Sequence, residues 1–148
     1  MRFSFDTEAS PELATMAFTD FSERRLEIWR RTLDPGRYKV RERGETWAVA
    51  KEGSAGSPFW VVTRYDWADP RAIGWDVVES NFGGNGPGSI RIAAGSDGGS
   101  RVDVEYRESG VRPVLRPVIM LVHNPAMDRV VARLWASALD RLARSEAG

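Results

Sequence analysis

The spacing of hydrophobic residues changes twice along the chain. Apolar and polar residues alternate from Arg2 to Thr7, which predicts a first strand. Alternation resumes between Arg37 and Tyr106, in six short runs separated by turns rich in glycine, proline and aspartate. From Leu115 to Ala143, in contrast, apolar residues recur at steps of three and four. That period indicates a helix buried along one broad face, and we predict that the strands cover it.

Two helix starts lie between the first strand and the second. Ser10-Pro11-Glu12 offers an N-cap, a proline at the first helical position and an acidic first turn. Asp20 and Glu23 have the spacing of a capping box, and Asp34-Pro35-Gly36 ends this second helix. Its four arginines are predicted to form a solvated face rather than a phosphate or partner site: Arg24, Arg25, Arg30 and Arg31.

The C-terminal helix contains one interruption. Pro125 has no backbone donor, so the helix should break near His123 and restart with Asn124 as its N-cap. The second segment, from Pro125 to roughly Arg144, would be about 28 Å long at 1.5 Å per residue. That length is sufficient to cross a sheet.

The connections between the six later strands are too short for parallel crossovers, so the pattern predicts an antiparallel meander. With the first strand, the sheet has seven strands. No repeat or linker divides the chain, and we predict one domain over residues 1–148.

Composition excludes several classes of protein. The 21 basic and 21 acidic residues give a formal net charge of zero, so no nucleic-acid partner is expected. The absence of cysteine excludes disulfides and thiolate chemistry. The longest uncharged apolar run, Pro117 to Val122, is too short to span a bilayer, and the N-terminus lacks a signal-peptide pattern. We therefore expect a cytoplasmic protein without stable membrane insertion.

This order of elements resembles the polyketide cyclase/dehydrase branch of the START-like, or SRPBCC, superfamily. The residues that carry the resemblance are the Ser10-Pro11-Glu12 helix start, Trp29 near the end of the second helix, the glycine-punctuated strands and the terminal amphipathic helix. The resemblance implies an α+β helix-grip fold, in which a seven-stranded antiparallel sheet curves around the long C-terminal helix. Members of the superfamily bind lipids, sterols, polyketides or other apolar molecules in a cavity between sheet and helix, and a minority catalyse reactions there.

Six tryptophans are a high number for this length, and large flat side chains both fill cores and line pockets. Unbroken alternation predicts that Trp47 and Trp75 face the helix, whereas the orientation of Trp60 stays open. The predicted ligand-binding residues are Trp29, Tyr38, Trp47, Trp60, Trp75, Val77, Ile92, Val104, Tyr106, Met120, Met127, Val131 and Trp135.

Polar residues on the predicted inward face are candidates for chemistry, because a buried charge requires a partner. Alternation places Glu42 with Tyr38, Glu79 with Trp75, and Tyr106 with Val104. Aromatase/cyclases of the superfamily orient polyketides with arginine, tyrosine and acidic groups. The resemblance therefore makes the candidates for this role Arg64, Tyr106, Glu42 and Glu79. The competing interpretation is that the charges lie at an exposed rim, and no catalytic residue is assigned.

Two further features have structural interpretations. The run from Gly83 to Gly88 lacks the lysine and hydroxyl ending of a P-loop and precedes a strand, so it predicts a long hairpin loop. His123, the only histidine, lies at the helix break, where capping or packing is favoured over catalysis, although it stays a candidate polar pocket residue. No metal site and no cofactor are predicted.

Three hypotheses about function follow. The first is binding of a small hydrophobic ligand, such as a lipid, a polyketide or another aromatic-type molecule. The second is an aromatase/cyclase-type enzyme, and the third is a protein-interaction module of the same fold with a filled core and an exposed patch. The identity of the ligand and the oligomeric state are left open.

Overall fold

The alternating segments form one seven-stranded antiparallel sheet with the order β1-β7-β6-β5-β4-β3-β2. A computed structural model describes the whole chain, Met1–Gly148. The sheet and the long C-terminal helix confirm the predicted helix-grip fold. The strands are β1 (Arg2–Thr7), β2 (Lys39–Arg43), β3 (Trp47–Gly53), β4 (Trp60–Asp66), β5 (Ala72–Ser80), β6 (Gly86–Ala94) and β7 (Ser100–Tyr106).

Four helices accompany the sheet: α1 (Pro11–Thr19), α2 (Arg24–Ile28), α3 (Arg116–Val122) and α4 (Pro125–Ala147). Two predicted N-caps are present, because the Ser10 side chain accepts from the Leu13 amide at 3.2 Å and Asn124 accepts from the Met127 amide at 3.1 Å. Helix α2 is shorter than predicted. The Asp20 carboxylate accepts from the Ser22 amide and hydroxyl, which forms a turn before the helix begins.

The inner face of the sheet is the face that α1 and α4 cover. Antiparallel pairing sets Phe3 and Ile90 opposite Val104, and these side chains join the main core. Helix α4 lies along β1, and its residue Leu139 is completely buried. None of the helices is long and apolar enough to cross a lipid bilayer.

Two β-bulges reverse the side-chain orientation that the sequence predicts. Thr63 lies opposite Val77, but the preceding β4 residue, Val62, lies opposite Glu79, so Val78 is an extra residue in β5. A second irregularity between Val40 and Glu42 has the same effect in β2. The predicted inward orientations of Glu42 and Glu79 are therefore wrong, because each carboxylate follows a bulge and lies on the outer face.

Strand β3 also turns its large residue outward. Ala48 and Ala50 are completely buried on the inner face, so the prediction that Trp47 faces the helix is wrong. The Arg64 guanidinium lies 4.7 Å from the centre of the Trp47 ring, and the Lys51 ammonium lies 4.3 Å from that of Trp60. These contacts cover the outer face with cation–π pairs.

One predicted surface arginine is buried. Arg25 is 6% exposed, and its guanidinium pairs with Glu52 at 3.0 Å, so it does not belong to a solvated face. The same guanidinium donates to the Phe18 carbonyl oxygen at 3.1 Å, and the Tyr65 hydroxyl donates to Glu52. This network connects α2 to β3 and β4 on the inner face.

The glycine run and the first part of the C-terminal helix also differ from the predictions. Gly86 and Gly88 belong to β6, so the hairpin loop comprises only residues 81–85. Helix α3 is not covered by the sheet: Ile119 is its one buried residue, while Met120 and Leu121 are 70% and 73% exposed. The prediction of a buried C-terminal helix is thus confirmed for α4 alone.

Candidate functional site

The inner face is covered along only part of its length. In β5, the central strand of the sheet, Ile73 is completely buried, whereas Trp75 two residues later remains partly accessible. Val131 near the start of α4 is likewise half-buried and packs at the border of the main core. An accessible indole in the middle of a sheet marks a part of the inner face that the helices leave uncovered.

Glycine makes the space that Trp75 occupies. Gly88 pairs with Trp75 across β5 and β6 and with Tyr106 across β6 and β7. A Cβ atom on Gly88 would lie 2.2 Å from the Trp75 ring, so no other residue fits under the indole in this position. The rings of Trp75 and Tyr106 are 6.0 Å apart between centroids, within the range of an aromatic pair.

The Tyr106 hydroxyl is buried and makes no hydrogen bond of normal geometry, although the Glu108 carboxylate lies near it. Burial raises the pKa of Tyr106 above its ordinary value, and the nearby Glu108 carboxylate raises it further. The phenol is therefore neutral at physiological pH and keeps its proton available for donation. An unsatisfied buried hydroxyl is uncommon in native proteins, and at a functional site it indicates a missing partner. We call Trp75, Gly88 and Tyr106 the Tyr106 site.

A carboxylate and an imidazole lie at the edge of the Tyr106 site. Glu108 Oε1 is 2.9 Å from His123 Nδ1, and the side chains of Glu108 and His123 are 14% and 37% exposed. This contact joins the segment after β7 to the junction between α3 and α4. The sequence pattern indicates His123 but not Glu108, because Glu108 follows the end of the alternating pattern and belongs to no motif.

Several predicted ligand-binding residues belong to the core instead. Trp135 contacts Phe18 and Trp29, with ring centroids 5.6 and 5.7 Å apart, and Trp29 Nε1 donates to the Ala17 carbonyl oxygen at 3.2 Å. Ile92 and Val104 are also buried in the main core. The aromatic cluster fills the space between the sheet and the middle of α4, so the predicted cavity does not extend there.

The other predicted site residues lie in several parts of the structure. Val77 lies on the inner face and is buried, and Met127 is half-buried in the first turn of α4. The Tyr38 hydroxyl donates to the Phe21 carbonyl oxygen at 2.9 Å, and burial raises the pKa of Tyr38 to about 12. The structure does not bring the other predicted residues to the Tyr106 site: Glu42, Trp47, Trp60, Arg64 and Glu79 lie on the outer face, and Met120 is exposed on α3.

Two open grooves lie at the edges of the sheet. One, of about 610 Å³, runs between β1 and the start of α4 and includes Phe3, His123 and Ala132. The other, of about 590 Å³, lies at β2 between Phe21 and Arg43. Both are lined mainly by polar residues, so neither is the apolar cavity that the sequence predicts. No three acidic or histidine side chains gather into a group that could hold a metal ion.

Comparison with known proteins identifies the family of the chain. The model of the family described as "Polyketide cyclase / dehydrase and lipid transport" matches residues 1–145. The chain belongs to this family. Among curated protein sequences, none matches the chain.

Solved structures of the same fold resemble the chain at low identity. The protein TTHA0849 from Thermus thermophilus has a TM-score of 0.76 at 14% identity, and the match covers 100% of this chain and 99% of that protein. A START superfamily protein from Mycobacterium smegmatis has a TM-score of 0.72 at 13% identity, with 98% and 97% covered. The ZhuI aromatase/cyclase from Streptomyces sp. R1128 has a TM-score of 0.71 at 16% identity, with 100% and 94% covered.

Proposed function

We propose that this protein binds a small apolar ligand carrying one hydrogen-bonding group, at the Tyr106 site between the inner face of the sheet and α4. The observation that carries the proposal is the buried Tyr106 hydroxyl, which has no partner while the neighbouring Trp75 indole stays accessible. One flat ligand satisfies both groups, because its ring covers the indole and its oxygen accepts from the phenol.

The surroundings of the hydroxyl limit the chemistry of the ligand. Val77, Gly88 and Val104 are uncharged inner-face neighbours of Trp75 and Tyr106, and Glu108 at the edge of the site is the charged group near the hydroxyl. The raised pKa of Tyr106 keeps the phenol protonated, so it donates to a carbonyl or phenol oxygen. Polyketides and other aromatic-type molecules combine these properties, and the family to which the chain belongs includes polyketide cyclases.

Removing the Tyr106 hydroxyl should have opposite effects on ligand affinity and on the stability of the protein. The substitution Tyr106→Phe removes a buried group that has no partner, so we expect the free energy of unfolding to rise by about 1 kcal/mol. The affinity for 2-naphthol, measured by quenching of tryptophan fluorescence, should fall about tenfold, equivalent to about 1.4 kcal/mol. The affinity for naphthalene, which cannot accept this bond, should not change.

Tyr38 offers the matched control. Its hydroxyl already donates to the Phe21 carbonyl oxygen, so Tyr38→Phe should destabilise the protein by about 1 kcal/mol and leave the affinity for 2-naphthol unchanged. The proposal is wrong if Tyr106→Phe behaves like Tyr38→Phe, or if the wild-type protein binds neither probe.

A second candidate function follows from the contact between Glu108 and His123. A mostly buried carboxylate that accepts from Nδ1–H leaves Nε2 of the imidazole free to accept a proton, which is the arrangement of a general base. With the Tyr106 phenol donating to a substrate carbonyl, removal of the neighbouring C–H proton by Nε2 would give an enolate held at its oxygen. This step would make the protein an enolising enzyme of the aromatase/cyclase type.

Proton exchange tests this second function directly. In D₂O the protein should catalyse exchange of the methyl protons of acetophenone, followed by NMR, and His123→Gln should reduce the rate at least tenfold. His123→Gln should retain binding of 2-naphthol, because the hydroxyl of Tyr106 is untouched. Binding without any catalysed exchange would leave the ligand-binding function and exclude this enzymatic one.

A further inference from the structure

Six of the eight large hydrophobic side chains exposed on this protein lie between Val114 and Val130. Single exposed apolar residues are normal, but a concentration of this kind marks an interaction surface. Met120, Leu121 and Val114 are 70%, 73% and 81% exposed, so they are almost fully in water. We call the following residues the α3 patch: Val114, Val118, Met120, Leu121, Val122 and Val130.

The patch is presented by a formed helix rather than by a frayed segment. The Asn124 side-chain amide donates to the carbonyl oxygens of Met120 and Leu121, at 3.1 and 2.9 Å, so the end of α3 is satisfied. Only Ile119 anchors α3 in the body of the protein. The remaining apolar side chains of the helix are therefore free to contact something outside the molecule.

The stretch of chain that carries the patch is rich in unpaired positive charge. Between Ser109 and Arg133 the chain carries four arginines and a single acidic residue, Asp128. The Asp128 carboxylate already accepts from the Arg2 backbone amide at 3.3 Å. The four arginines are exposed, and none of them belongs to an ion pair of the molecule: Arg112, Arg116, Arg129 and Arg133.

Exposed apolar side chains together with unpaired arginines are complementary to the surface of an anionic bilayer. Apolar side chains enter the boundary between headgroups and acyl chains, while arginines bind lipid phosphates. A second copy of this chain fits less well. A two-fold interface centred on the patch would bring the unpaired arginines of one copy towards those of the other.

We infer that the α3 patch and its four arginines bind the surface of a bilayer that contains anionic lipids. The binding is peripheral, because only the side chains of one short helix and its flanks enter the interface. The contact between Glu108 and His123 ties the start of α4 to the strand end beside Tyr106, so a bilayer on the patch lies next to the Tyr106 site.

Cosedimentation with vesicles tests the inference without any ligand. The protein should bind vesicles of equal parts phosphatidylcholine and phosphatidylglycerol, and bind vesicles of phosphatidylcholine alone at least tenfold more weakly. Binding should weaken as salt is added, because ions screen the arginines. Since each arginine strengthens binding about fivefold, Arg116→Gln with Arg133→Gln should weaken it about 25-fold.

Negative charge introduced into the α3 patch should also weaken vesicle binding. Met120→Asp combined with Leu121→Asp should reduce vesicle binding more than tenfold, while circular dichroism should show an intact fold because both side chains are exposed. The matched control is Val78→Asp, at another exposed apolar residue, which is 56% exposed on β5 and lies outside the patch. Val78→Asp should bind vesicles as the wild-type protein does.

Three results would overturn the inference. The first is a wild-type protein that does not bind the anionic vesicles at low salt, and the second is binding that does not weaken when the patch is substituted. The third is a dimer in sedimentation velocity that Met120→Asp with Leu121→Asp converts to monomer, because a second copy of this chain would then be the occupant of the patch.

Discussion

Glu52→Ala is expected to lower the free energy of unfolding by about 3–5 kcal/mol, because it leaves the buried guanidinium of Arg25 without its counterion. The side chains of Arg25 and Glu52 are 7% and 13% exposed and pair at 3.0 Å. The Tyr65 hydroxyl loses its acceptor in the same substitution. Urea denaturation of the two proteins measures the difference.

The exposed pair between Arg41 and Glu79 is the matched control. Its nitrogen–oxygen distance is also 3.0 Å, but the side chains are 43% and 51% exposed. Water screens such a pair, so Glu79→Ala should cost no more than about 1 kcal/mol. Equal effects of the two substitutions would show that the pair between Arg25 and Glu52 is solvated in solution.

A double substitution distinguishes the pair from the space it fills. Arg25→Met with Glu52→Leu removes both charges and keeps apolar volume, so it should recover part of the stability lost in Glu52→Ala. Arg25 also donates to the Phe18 carbonyl oxygen and lies 4.1 Å from the centre of the Phe21 ring. Recovery of stability should therefore be incomplete, because methionine cannot donate a hydrogen bond to the Phe18 carbonyl oxygen.

Gly86→Ala is the second substitution with a large expected effect. Gly86 has a φ of 136°, and a Cβ atom there would lie 2.0 Å from the Arg107 carbonyl oxygen. The backbone must shift to relieve this contact, so we expect a loss of at least about 2 kcal/mol in the free energy of unfolding. Because Arg107 directly follows Tyr106, the affinity for 2-naphthol should fall as well.

Gly74→Ala, in the neighbouring strand β5, controls for the loss of a strand glycine. No atom lies within 4 Å of a Cβ at Gly74, and its φ is not positive. The substitution should leave stability unchanged or raise it by up to about 1 kcal/mol, because the unfolded chain loses freedom. If the two alanine variants unfold alike, the close approach between Gly86 and Arg107 is absent in solution.

Most of the fold was predictable because its signals are local. The alternation of strands, the Ser10 and Asn124 caps and the break before Pro125 each depend on residues within one turn or one strand. The inward orientation of Trp75 and Tyr106 was also predictable, since no bulge intervenes between each of them and the apolar residues that set its alternation. For Glu79, the extra residue Val78 reversed the orientation, and no residue type in the sequence marks that bulge.

The candidate site was predictable only in part. Tyr106 was found by alternation, but the missing partner of its hydroxyl is a property of the folded surroundings. Glu108 was missed because its contact with His123 joins residues 15 positions apart, with helix α3 between them. The burial of Arg25 depends likewise on Glu52, 27 positions away, which the sequence alone does not pair with it.

The sequence by itself determined the period of each element, where helices begin and break, and the antiparallel order that short connections impose. These features follow from backbone geometry and hydrogen bonds between near neighbours. Only the tertiary structure decided which face each strand residue takes after a bulge, which charges are buried, and that α3 is left uncovered. Those outcomes depend on register and packing between distant segments, where a shift of one residue exchanges the inner face for the outer one.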